Sequence, residues 1–173
     1  MTTSETTATG ERADLLETLS KHRWFLRFTV RDLTDEQAAQ TTTASALCLG
    51  GLIKHVALTE RQWVAFIVDG PAAMGTPDDA SVADWAGGFK MLEGETLAGV
   101  LDTYEQVAAR TDELVRTLAD LDMSHPLPEA PWFPPGARWS ARRVLLHVIA
   151  ETAQHAGHAD ILRESLDGAK TMG

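Results

Sequence analysis

The segment His147-Val-Ile-Ala-Glu151-Thr-Ala-Gln-His155-Ala-Gly-His158 constrains this chain more than any other. Its carboxylate and three imidazoles recur at helical spacing. At 3.6 residues per turn they fall within about a quarter of a helix's circumference. Val144 and Val148 flank that stripe, and Ile161 and Leu162 lie beyond its end, so the stripe faces a core rather than water. Leaving such groups buried without partners would cost several kcal/mol, on the order of what a small core supplies. A metal ion is the partner that suits imidazoles and a carboxylate best.

The same period runs through the rest of the sequence. Leu15, Leu19, Leu26 and Val30 repeat along one side of a segment from about Glu11 to Arg31. Thr34 is placed to cap a short helical turn over residues 33–37. A second long helix is expected from near Ser45 to the stop signal Asp69-Gly70-Pro71. Leu97, Leu101, Tyr104, Ala108, Leu114 and Leu118 give the apolar face of a third, from about Thr96 to Leu121. The fourth begins at the N-cap Ser140 and ends at Asp167-Gly168. No alternating strand pattern is visible. Two connections exceed what a bundle needs: residues 71–95 around Trp85 and Phe89, with room for a short helix, and the Pro-rich residues 122–139, with Trp132, Phe133 and Trp139. The fold class is therefore all-α, a four-helix bundle with long loops over residues 11–168, between a loose tail (1–10) and a short C-terminal tail (169–173).

With 173 residues, 44% of them hydrophobic, the chain can fill one core as a soluble domain, and no run is apolar enough to span a bilayer. Cys48 is the only cysteine, so no internal disulfide forms and a reducing cytoplasm is expected. A net charge of −10 argues against nucleic acid and membrane surfaces as partners, because both require a basic face.

Within the fourth helix, His147/Glu151, Glu151/His155 and His155/His158 could each chelate an ion from one side. Spacing does not choose among them. A second helix must complete the site, and His55 is the candidate, sharing a face with Leu52, Leu58, Thr59, Gln62 and Phe66 while Lys54, Glu60 and Arg61 lie elsewhere on the wheel. A lone inward histidine is more often a hydrogen-bonded core residue than a ligand, but a stripe with three more is not so explained. Gly50-Gly51, inside the second helix, costs about 2 kcal/mol in propensity and points to close helix approach or ligand access near His55. Cys48 reads as a small buried core thiol on the same face. Trp24, Phe25, Phe28, Trp63 and Phe66 read as packing residues.

Leu49-Gly-Gly-Leu-Ile-Lys-His55, the segment Glu151-Thr-Ala-Gln-His155-Ala-Gly-His158 and the preceding Trp139-Ser-Ala-Arg142-Arg143 resemble the DinB superfamily over residues 11–168. That superfamily comprises metal-binding four-helix proteins and includes mycothiol-dependent maleylpyruvate isomerase and thiol S-transferases. The resemblance implies a metal triad of His55, Glu151 and His155, with Glu151 similar to the mycothiol isomerase subgroup. It makes His147 and His158 neighbours that orient the site or handle protons. Members are often dimeric, so a homodimer with some of Trp24, Phe25, Phe28, Trp63 and Phe66 on its face is the alternative to their packing role. The isomerase has a second domain after the bundle, whereas this chain stops soon after Gly168, so the expectation falls on the transferase, which needs only the bundle.

Three protein ligands leave a coordination position open, as in catalytic rather than structural sites. The expected function is metal-dependent activation of a low-molecular-weight thiol, mycothiol by the resemblance, for S-transfer to an electrophile. Zinc is the default ion, with nickel or iron as alternatives. Trp132, Trp139 and Arg143 are the candidate thiol-binding residues, with Arg138 and Arg142 nearby to meet carboxylates. Two histidines and a carboxylate also form the facial triad of non-haem iron enzymes. A non-catalytic metal-binding stress protein and hydrolysis by a metal-bound water are the remaining alternatives.

Overall fold

The computed structural model describes residues 8–75 and 87–172. Its elements are α1 (Glu11–Phe28), α2 (Asp35–Ala39), α3 (Leu49–Asp69), a 3-10 turn (Gly70–Met74), α4 (Leu97–Thr117), a hairpin of β1 (Ser124–Pro126) and β2 (Arg138–Ser140), and α5 (Ala141–Asp167). The four long helices form the expected bundle. Helix α1 packs on α5, α5 on α3, α3 on α4, and α4 closes the ring against α1. Consecutive long helices α1 and α3 thus lie diagonally, and the 29–48 connection has to cross the bundle end.

Local chemistry sets most boundaries. Thr34 forms a capping box with Gln37, Thr96 accepts from Gly99 N–H, and Ser140 accepts from Arg143 N–H. Gly168 terminates α5 in the left-handed conformation, φ 79°. Three ends differ from the sequence expectation, each through side chains. α1 stops at Phe28 because Arg163 takes the carbonyls of Thr29 and Arg31, both at 2.8 Å. α3 starts at Leu49 rather than Ser45. The hydroxyls of Thr43 and Ser45 accept from the backbone two residues on, which competes with a helical start. α4 stops at Thr117 because Arg12 donates to the carbonyls of Val115 and Leu118.

The absence of strands expected from the sequence is corrected by the antiparallel pair, in which His125 faces Trp139. Three residues per strand, one of them Pro126, offer too little alternation to register as a pattern. His125 pins this hairpin to the end of α3: its Nε2 lies 3.2 Å from Ile67 O, and its ring packs against Gly70, φ 69°. The 71–95 connection begins with the 3-10 turn; Trp85 and any further short helix lie outside the described residues, as do residues 1–7 of the tail.

Two apolar clusters fill the bundle. One, toward α2, contains Leu26, Leu52, Ile53, Tyr104 and Leu162; the other, toward the hairpin, contains Leu19, Phe66, Val115, Leu145 and Val148. A polar layer separates them: Arg23, Glu60, Thr111 and Thr152 are all buried, one from each long helix. Arg23 grips Glu60 through two guanidinium nitrogens and reaches Asp112 at 2.7 Å. Thr111 and Thr152 donate to carbonyls one turn back in their own helices. Glu60, set aside on the helical wheel, is 1% exposed. Its partner is a cation 37 positions away in sequence, which no local pattern reveals.

Candidate metal centre

The α3–α5 contact brings His55 opposite Glu151 and His155. One ligand-capable atom from each lies within 4.8 Å of the others. His155 Nε2 is 3.6 Å from Glu151 Oε2, and the His55 and His155 rings meet edge to face with centroids 4.9 Å apart. The donor set suits a divalent ion. Bonds of about 2.0–2.2 Å need donors roughly 3–4 Å apart, so small side-chain rotations suffice.

Protonation supports the same fit. Burial, and then the neighbouring His155, lowers the His55 pKa to about 4. Burial also lowers His155, with Glu151 opposing and His158 adding to the shift. Both rings are held toward the neutral form that ligates a metal. The folded metal-free protein thus refuses a proton at His55 that the unfolded chain accepts below about pH 6.5. Between there and pH 4 the unfolded state binds more protons, so stability rises with pH and is lost on acidification. Urea unfolding of metal-free protein at pH 7 and pH 5 is expected to show a larger acid loss for wild type than for His55→Gln. Equal losses would refute the buried, neutral state of His55.

The other sequence candidates divide. His158 Nδ1 lies 3.4 Å from His155 Nδ1, on the side of that ring away from Glu151. His147 Nε2 lies 4.0 Å from Glu151 Oε1. Burial lowers the His147 pKa; Glu151 opposes this and Arg143 adds to it. The His147 ring packs edge-on against Trp63, at 4.9 Å, and Trp139, at 5.1 Å, which stack on each other. Trp63, read from the sequence as a packing or dimer-face residue, therefore packs against the candidate His147. Arg143 lies over the outer face of Trp139, 4.5 Å from the ring centroid. Trp132 is 72% exposed and, among the described residues, is linked to the others through Phe133, which touches Trp139.

Two nearby arginines are committed elsewhere. Arg142 pairs with Glu11 and Asp122, and Arg138 donates to Ser124 O at 2.6 Å. On α3, Thr59 Oγ1 lies 3.5 Å from His55 Nε2. Phe89 stacks on the His55 ring with centroids 3.9 Å apart, a contact the sequence signalled only through Gly50-Gly51. No helix among the described residues is long and apolar enough to cross a membrane.

Comparison with known proteins joins this geometry to a family. Among solved structures, a conserved protein from Enterococcus faecalis superimposes with a TM-score of 0.69 at 16% identity, covering 94% of this chain and 100% of that one. YfiT from Bacillus subtilis, described as a probable metal-dependent hydrolase with an unusual four-helix bundle topology, superimposes at 0.66 and 14% identity, covering 94% and 91%. At such identities these likenesses establish the fold alone. No curated protein matches the sequence. The profile of the mycothiol-S-transferase family matches residues 14–168, a span that contains all four long helices except the first turn of α1. The DinB-like bundle expected from the motifs is the observed one, and the chain belongs to the mycothiol-S-transferase family.

Proposed function

We propose that His55, Glu151 and His155 hold one divalent cation, zinc by default, and that the chain uses it to transfer the sulfur of a low-molecular-weight thiol, mycothiol by family, to an electrophile. The observation that carries this reading is the meeting of two imidazoles held toward neutrality with one carboxylate at the α3–α5 contact. A cation with an open position stabilises a bound thiol as its thiolate. The residues around it supply the rest. His158 fixes the tautomer of His155: with the His155 Nδ1 proton directed at His158 Nδ1, Nε2 keeps its lone pair toward Glu151. His147, also held toward neutrality, accepts the proton the thiol gives up. The sulfur–carbon bond then forms as the electrophile's leaving group departs with its electron pair. Trp139 and Arg143 wall the thiol's body, with Trp132 at the outer end of the same aromatic series.

The test is a coupled one. Protein reconstituted with zinc is mixed with mycothiol and monochlorobimane, and conjugate formation is followed. The rate is expected to saturate with mycothiol, vanish on chelation and return with zinc. Turnover of an ester without thiol would favour hydrolysis, and bound metal without turnover of either substrate would favour a binding protein; both outcomes overturn the transferase reading.

A further inference from the structure

Phe89 lies in the described stretch that follows residue 86 and runs across the N-terminal half of α3. Several contacts among the described residues fix this strap. Lys54 Nζ donates to Lys90 O at 3.3 Å and pairs with Glu95 at 2.8 Å. Glu95 in turn accepts from Leu92 N–H, and the Cys48 thiol points at Phe89 O, 3.7 Å away. The strap lies so close to the helix that only glycine fits beneath it. A Cβ on Gly51 would stand 1.9 Å from Phe89 O, and one on Gly50 would stand 2.2 Å from Met91 Sδ. Two glycines in a helix interior cost about 1 kcal/mol each relative to alanine, so the close approach offsets a real penalty. Its result is the Phe89 ring lying nearly parallel to His55, 21° between planes, with the His155 ring at 6.2 Å.

We infer that Phe89 is a positioning residue of the metal centre: its ring holds the His55 imidazole in the plane that aims it at Glu151 and His155, and Gly50-Gly51 admit the strap that carries it. The inference rests on the ligand assignment proposed above. An imidazole on a helix has two soft torsions. The α3 backbone limits the first, and a ring stacked on its face limits the second. His155 has a polar neighbour in His158; His55 has Thr59 Oγ1 at 3.5 Å from its Nε2 and the Phe89 ring across its face. Orienting groups one sphere beyond the ligands commonly govern metal affinity by about 10–100-fold.

Full-length wild type, Phe89→Leu, Phe89→Tyr and Gly51→Ala are to be compared by zinc affinity in chelator competition and by the visible spectrum of the cobalt(II)-loaded protein. Phe89→Leu is expected to weaken zinc binding about tenfold and to alter the cobalt bands, with Phe89→Tyr restoring both. Gly51→Ala, which displaces the strap without changing the ring, is expected to behave like Phe89→Leu. Independently of any variant, the His55 ring protons of metal-free wild type are expected to be shifted upfield by the ring current of Phe89; their absence from that position overturns the inference. Wild-type affinity and spectrum in Phe89→Leu also overturn it while leaving the ligand assignment intact. Failure of wild type itself to bind zinc overturns both.

Discussion

Glu151→Ala protein is expected to emerge from dialysis with almost no divalent metal, and wild type with one ion per chain. The carboxylate is the only anionic donor of the cluster and lies between His147 and His155. Its loss leaves two neutral donors on different helices, and affinity is expected to fall by more than about 100-fold, beyond what loss of an orienting neighbour costs. The fold should survive. Glu151 is about a quarter exposed and has no arginine or lysine partner among the described residues, so its removal strands no buried cation. Elemental analysis gives the metal content. Thermal melts with and without zinc supply the control, because a ligand at 1,000 times its Kd adds about 4 kcal/mol to wild type and should add almost nothing to the variant. Full occupancy in Glu151→Ala would end the assignment.

The largest effect on stability is expected far from any substrate. Arg23→Met leaves Glu60, which is 1% exposed, without its cation in the middle of the bundle. Breaking a buried pair in this way costs about 3–5 kcal/mol, a large share of the roughly 5–15 kcal/mol that holds a domain together. Urea unfolding should show the midpoint fall accordingly. The double variant Arg23→Met/Glu60→Leu should recover much of the loss, because it removes the stranded charge as well. If the single variant is as stable as wild type, the layer between the two apolar clusters does not hold the helices in the way described.

These two sites differ in how readily the sequence disclosed them. The metal candidates share one helix at spacings of three and four, so periodicity alone collected them, and His55 followed from its position on an apolar face. Helix caps were equally plain at Thr34, Ser140 and Gly168 because capping is decided within four residues. Glu60 fell outside the apolar face on the wheel, and no local pattern marks Arg23 or Asp112, because these three meet only when separate helices pack. The shortened ends of α1 and α4 have the same origin: Arg163 and Arg12 claim carbonyls more than a hundred residues away. The hairpin was too short to alternate. Phe89 stacks on His55 across 34 residues, and the only local trace was a pair of glycines whose purpose helix propensity could not state.

The polar donors project from α3 and α5, while Phe89, stacked on His55, and Trp139, packed against His147, belong to the two long connections. The donors and two of the rings beside them are thus drawn from separate stretches of the polypeptide. Changes in the 122–139 connection would alter the surroundings of His147 while leaving His55, Glu151 and His155 in place, whereas changes at Phe89 would be felt at the His55 ring itself.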